Sequence, residues 1–359
     1  MNIGGKIEKY RKRIGMTKKD LAEKLDLTPS AVTYYENGAR QPSLKAVMKI
    51  AKATKVPIEY FLMEKDYSFS TLSRGKGKLS KEEQQEVSGF QALVENLIHV
   101  AEISGFDLSY KGSSDYLNKT LSDQDIGKIK EQLDLPEIVD YESLVEALWL
   151  KWRVTVFEMP FQKRTLSAVT IRKGSVYSIF INKGTTPERK LFSLAHELGH
   201  ILMHLKDNEF IISRLSARDI KEKQANEFAG KFVVPKSVLI QQLNDSAVDI
   251  NRPNIRKLAG FFNVSYECIV YNLAQINLVD YREDVARKDT EIEDYDYEIT
   301  LDNFPPVYKL LVYAAWKNGD ISISKAANYL MTDIRTANEH FYKIQSILGQ
   351  KEPNNGTDI

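Results

Sequence analysis

The sequence predicts a mostly helical α+β protein, on three observations. Apolar residues recur at helical spacing through 4–62, 80–150, 188–274 and 305–348. A single interval, 153–182, turns to β-branched, strand-like runs, which leaves room for one small sheet. At 359 residues the chain is long enough for two or three domains of ~150 residues each. Hydrophobic residues make up 43% and charged residues 28%, which excludes a collagenous, disordered or disulfide-stapled chain. Apolar runs such as 307–316 are far shorter than the ~18–20 residues of a membrane span, so no membrane partner is expected. The basic start MNIGGKIEKYRKRIG is followed by no apolar stretch, so no signal peptide is expected. One cysteine, Cys268, makes no internal disulfide, and the expected compartment is a reducing cytoplasm.

Taken in order, the elements divide the chain. Ile3, Ile7 and residues 10–14 carry the first helical stripe. Thr17 is a good N-cap for a helix over 18–25, with Leu21, Ala22 and Leu25 facing inward. Thr28 caps the next helix with Pro29 at its first position, where a missing N–H is harmless, and Asn37-Gly38 stops it after Glu36. Helices over 43–54 and 58–62 complete a five-helix unit, 1–64. Residues 65–79 lose periodicity and gain Gly, Ser and Lys, the composition of a linker. Residues 80–150 are helical with a break near 105–114. Strands follow at 153–157, 166–171 and 176–182, the last two joined by the turn Lys173-Gly174-Ser175. Helices over 188–204, 219–233, 235–243, 254–262 and 266–274 close a second domain, 80–279. An acidic linker, 280–304, leads to a helical C-terminal domain, 305–350.

Net charge is only +1, but it is unevenly spread. Residues 1–63 hold thirteen Lys/Arg against six Asp/Glu, a local +7, and residues 280–302 hold three against ten, a local −7. A basic head on a neutral chain is a candidate polyanion-binding end. Within it, a short helix, a tight turn and a second short helix form a helix-turn-helix pattern. The helix 18–25 would cross a DNA backbone, and the helix 28–37 would enter the major groove, offering Ser30, Thr33 and Tyr34 on one face. Lys18, Asn37 and Arg40 are placed to grip phosphates.

The string TKKDLAEKLDLTPSAVTYYENGARQPSLKAVMKIAKATKVPIEYFL resembles the Cro/CI-type (XRE) helix-turn-helix family over about sixty residues, most specifically in YYENGARQPS. The resemblance implies a double-stranded DNA operator as partner. A homodimer is also expected, because such heads usually read paired half-sites. Two positions depart from the family pattern: Lys18 replaces a usual Gln, and Asp26 a frequent Gly in the turn.

The second domain contains His196-Glu197-Leu198-Gly199-His200 in an expected helix. Residues i and i+4 lie one turn apart on one face, so both imidazoles can reach one ion. Glu197, one residue round, can take a proton from a water that the ion acidifies. Gly199 costs ~1 kcal/mol inside a helix, which suggests a packing reason for it. A catalytic zinc wants a third protein ligand and an open position. His204 stands ~12 Å along the helix axis from His196, too far to share the ion, and reads as an outer or packing residue. Glu222 on the next helix is the better third ligand. Asn226 shares its face and can accept a hydrogen bond from a ligand histidine. Glu227, turned about 100° from Asn226, is the alternative.

LFSLAHELGHILMH followed by EKQANEFAGKFVVP, with the strands ending in IFINKG, resembles the ImmA/IrrE-type metallopeptidase family over 120–275. The resemblance implies a zincin-like domain with zinc, or another divalent ion, on His196, His200 and Glu222, and Glu197 as general base. Val233-Val234-Pro235 departs from a more usual Leu-Met-Pro. It further implies a protein substrate, either a repressor or a co-encoded partner. The function expected is therefore a DNA-binding transcriptional regulator with a zinc endopeptidase domain. The alternative is a non-hydrolytic regulator or antitoxin-like partner whose peptidase fold only senses or binds. The hairpin 166–182 is expected either to present an edge to an extended substrate or to serve as scaffold. Tyr177 and His204 are candidate oxyanion donors. At the C-terminus, ISISKAANYLMTDIRTANEHF resembles a second, degenerate helix-turn-helix, with an oligomerisation or lid element as the other reading.

Overall fold

The structure, a computed structural model, describes residues 3–13, 15–54, 61, 80–161, 166–205, 210–214, 220–245, 249–280 and 298–348. The expected linker 65–79, most of the expected helix 58–62 and most of the acidic tract lie outside the described residues. Among the described residues, no helix is long and apolar enough to cross a membrane.

The N-terminal unit contains α1 (Ile3–Arg13), α2 (Lys18–Leu25), α3 (Pro29–Glu36) and α4 (Leu44–Thr54). They enclose a core built on Ile7, Leu21, Val32 and Ile50. Thr17 Oγ1 accepts from the Asp20 N–H while the Asp20 carboxylate accepts from the Thr17 N–H, and this reciprocal cap starts α2. Thr28 caps α3 through the Ala31 N–H, with Pro29 in the first turn. α2 ends on Asp26 at φ 57°, a left-handed conformation that a glycine adopts freely and that Asp tolerates. Gly4 is required by close approach, since a Cβ there would fall 2.3 Å from the Tyr35 carbonyl oxygen. α1 therefore lies directly on the end of α3. The Arg11 guanidinium is buried and grips the Glu36 carboxylate twice, Nε to Oε1 at 2.5 Å and Nη2 to Oε2 at 3.0 Å. It also donates to the Met16 carbonyl oxygen at 2.7 Å. This two-pronged pair fixes the angle between α1 and α3.

The body begins with α5 (Lys81–Ile103), α6 (Asp123–Leu133) and α7 (Tyr141–Trp152). Then come β1 (Val154–Met159), β2 (Leu166–Lys173), β3 (Val176–Asn182), α8 (Pro187–Met203), β4 (Phe210–Arg214) and α9 (Ile220–Val233). Helices α10 (Lys236–Asp245), α11 (Arg252–Phe262) and α12 (Tyr266–Gln275) complete this part. The C-terminal helices are α13 (Pro306–Lys317), α14 (Ile323–Tyr329) and α15 (Ile334–Ile347). Ser322 caps α14 and Asp333 caps α15.

The strands form one sheet in the order β1-β3-β2-β4, with β1 parallel to β3 and the remaining pairs antiparallel. Alternation assigns its two faces. Val154, Val156, Ala168, Tyr177, Ile179 and Ile181 join one core with α6 to α12. Phe157, Val169, Ile171 and Phe180 join a second core with α5 and α13 to α15. There Phe90 stacks on Phe180 at 4.5 Å, and Phe157 stacks on Phe180 at 4.8 Å. Tyr308 is fully buried and donates its hydroxyl to the Tyr329 carbonyl oxygen at 3.0 Å. The C-terminal helices thus cover a face of the sheet together with α5.

The hairpin edge considered from the sequence is occupied. β3 is flanked by β1 and β2 by β4, so both hairpin strands are interior. The reason is non-local pairing: β1 docks parallel and directly beside β3 although β2 lies between them in sequence, and β4 returns after α8 to pair with β2. Local alternation carries no signal for either event.

Candidate metal centre and helix-turn-helix face

α8 carries both histidines because it is a nearly all-buried helix. Pro187 occupies its first turn, and residues from Leu191 to Met203 are almost continuously apolar around the HELGH string. α9 brings Glu222 to the same place because that residue shares the buried stripe of Ala225, Ala229 and Phe232. The two helices approach closely at Gly199. A Cβ there would meet Phe228 Cδ1 at 2.9 Å and the Ala225 Cα at 3.4 Å. The packing reason expected for this glycine is therefore the α8–α9 crossing. Gly199→Ala gains ~1 kcal/mol of helix propensity but overpacks by ~1–3 kcal/mol, so a net loss of up to ~2 kcal/mol is expected. Urea unfolding of the metal-free protein measures it, and a variant more stable than native would contradict the close-packing account.

Suitable ligand atoms of His196, His200 and Glu222 lie within 4.8 Å of one another. His196 Nε2 and His200 Nε2 are 3.0 Å apart, and each lies 3.3 Å from a Glu222 oxygen. Two donors at zinc–nitrogen distances of 2.0–2.1 Å in tetrahedral array stand about 3.3 Å apart. The spacing fits one small divalent cation. The electrostatics fit as well. Burial pushes the Glu222 carboxyl up, but its bonds to the two histidines outweigh that and hold it at about 2, so it is an anion. Burial drives His200 down to about 4, leaving a neutral ring with a lone pair to give. Burial also opposes charge on His196, yet Glu222, Glu197 and Asn226 together raise it. A site that draws a proton onto a buried imidazole is a site that asks for positive charge.

Glu197 is wholly buried, and one of its oxygens accepts the Thr170 hydroxyl at 2.5 Å. Thr170 stands on β2 on the face toward α8, so the sheet fixes that carboxylate. On the far side of His200, Nδ1 lies 3.0 Å from His204 Nδ1, and His204 Nε2 lies 3.0 Å from Gln224 Oε1. Asn226 sits beside His196 and contributes to its raised pKa. Glu227, the alternative ligand, pairs instead with Lys231 at 2.7 Å, because it points off the buried stripe. The Tyr177 ring makes a tilted contact with Tyr110 at 4.5 Å and lies under the Arg172 guanidinium. Thr170, Gln224 and the Gly199–Phe228 contact were not singled out from sequence. Only Thr170 had a local signal, the alternation of β2.

On the N-terminal unit, Ser30 and Tyr34 stand exposed on α3, Tyr34 at 52%. Arg40 is exposed just beyond it. The other three residues singled out have internal partners. The Thr33 hydroxyl donates to the Pro29 carbonyl oxygen at 3.1 Å, the Asn37 side chain accepts from the Ala39 N–H at 3.0 Å, and Lys18 lies 3.6 Å from Glu36.

Comparison with known families agrees with this division. Residues 7–61 match a helix-turn-helix family model, and residues 151–274 match the model of the IrrE N-terminal-like domain. The chain joins an XRE-type helix-turn-helix unit to an IrrE-type domain. The IrrE-type domain contains the sheet, α8 and α9, hence the whole His-His-Glu cluster. Three Bacillus subtilis (strain 168) proteins are similar. The phage-like element PBSX protein XkdA is 33% identical over 76 residues, 21% of this chain and 37% of that protein. Metallopeptidase ImmA is 31% identical over 102 residues, 28% of this chain and 57% of its own length. The uncharacterized HTH-type transcriptional regulator YqaE is 36% identical over 56 residues, 16% of this chain and 48% of its own length. The chain thus spans between about a third and three-fifths of each relative it matches.

Proposed function

We propose that this chain is a DNA-binding regulator whose IrrE-type domain is a zinc-dependent endopeptidase, acting on a repressor or on a protein encoded beside it. The observation that supports this best is the convergence of His196, His200 and Glu222 within 4.8 Å, with Glu197 fixed next to them. The likeness to a protein named Metallopeptidase ImmA favours hydrolysis. His196, His200 and Glu222 hold the ion, zinc or another divalent cation. When bound, the ion supplies Lewis acidity, polarising a peptide carbonyl and acidifying a water. Glu197 takes the proton of the attacking water and delivers it to the leaving amine. Thr170 keeps the Glu197 carboxylate in one orientation. Asn226 and His204 orient His196 and His200. β4, an outer strand of the sheet, is where an extended substrate would add. A purely binding role has no use for Glu197, so cleavage of a co-encoded repressor by native protein and by Glu197→Gln is the test. If neither cuts while DNA binding persists, the non-hydrolytic reading stands instead.

The N-terminal unit reads a double-stranded operator, as a homodimer on paired half-sites. Ser30, Thr33 and Tyr34 face the bases, and Lys18, Asn37 and Arg40 the phosphates. Arg40→Ala is expected to weaken binding to all sequences alike and to reduce the slope of log affinity against log salt by about 1. An unchanged slope in a salt titration would remove Arg40 from the interface. The one cysteine, Cys268, is buried and free, which fits a reducing cytoplasm.

A further inference from the structure

We infer that Gln224 is a positioning residue for the metal centre: through His204 it selects the His200 tautomer that turns a lone pair toward the ion. The inference rests on the reading of His196, His200 and Glu222 as ligands. Four side chains form one line, from His200 through His204 and Gln224 to Thr120. His200 and His204 are buried, Gln224 is half-buried and Thr120 is exposed.

The direction of the line follows from what each atom can do. Gln224 Oε1 only accepts, so His204 Nε2, 3.0 Å away, must carry hydrogen. A neutral His204 then has a bare Nδ1, which also only accepts. His200 Nδ1, 3.0 Å from it, must therefore carry its ring's hydrogen. That leaves His200 Nε2 as the lone pair, the atom 3.0 Å from His196 Nε2 and 3.3 Å from Glu222. Reversing the line places a hydrogen on His200 Nε2 and blocks the ion. At its outer end the Gln224 Nε2 donates to Thr120 Oγ1 at 3.2 Å, which holds the amide with its oxygen toward His204. Thr120 follows Asn118, whose N–H donates to the Met203 carbonyl oxygen at 2.9 Å at the end of α8. The loop ahead of α6 is thereby attached to the same helix that carries the ligands.

The test measures zinc affinity by chelator competition in the full chain. Outer partners of ligand histidines typically contribute 10–100-fold. Gln224→Met, which cannot accept, is expected to bind zinc about 10-fold more weakly. Gln224→Glu keeps an acceptor facing His204 and is expected to retain native affinity. An unchanged Gln224→Met, or equal loss in both variants, would overturn the inference. Failure of the native chain to bind zinc would overturn the metal reading itself. Should a variant not fold, nitrogen-15 NMR of the five histidines in the native zinc-loaded chain decides the point. The expected pattern is His204 protonated on Nε2 and bare on Nδ1. The opposite tautomer refutes the role given to Gln224.

Discussion

Replacing Glu197 by Gln is expected to leave the protein folded, zinc-binding and able to bind DNA, while lowering peptide cleavage by about 10²–10⁴-fold. The reason lies in what the substitution keeps. Gln is nearly the same shape, and its amide oxygen still accepts the Thr170 hydroxyl that now holds a Glu197 oxygen at 2.5 Å. The buried position on α8 is unchanged, so neither the helix nor the neighbouring His196 should move. Only the capacity to take and return a proton disappears. Single-turnover cleavage of the partner protein, with zinc content measured on the same samples, separates the two effects. Equal rates in the native protein and the variant would show that another group handles the proton.

Replacing Glu222 by Gln is expected to weaken zinc binding by more than the ~10–100-fold that loss of an outer partner costs. Glu222 supplies the anion of the site, held at about 2 because its bonds to His196 and His200 outweigh the effect of burial. A neutral amide leaves the two imidazoles, 3.0 Å apart, without an anionic ligand to share a dication with them. Thermal unfolding reads this out. A ligand at 100 times its Kd stabilises the native state by about 2.7 kcal/mol. Native protein is expected to gain that stability with zinc, and the variant to gain little at the same concentration. Equal stabilisation of both would mean that zinc binds elsewhere.

Much of this was legible in the sequence because the relevant signals are local. Thr17 and Thr28 cap α2 and α3 where their chemistry places them, and Pro29 starts α3. The i, i+4 spacing brings His196 and His200 to one point, and the buried stripe of α9 carries Glu222 to meet them. What escaped was non-local. β4 is a short run whose strand character depends on pairing with β2, some forty residues earlier. The parallel docking of β1 on β3 turns the hairpin from an edge into the interior. The C-terminal helices share the second core with α5 and the sheet, a partnership that their own periodicity does not announce. Gln224 and Thr120 meet across 104 residues, so no window of sequence contains both.

Crystals of the native protein grown with zinc, with anomalous scattering recorded on both sides of the zinc absorption edge, address the central claim most directly. One peak per chain is expected, 2.0–2.2 Å from His196 Nε2, His200 Nε2 and a Glu222 oxygen. A peak bound by other side chains, or none at this cluster, would contradict the account.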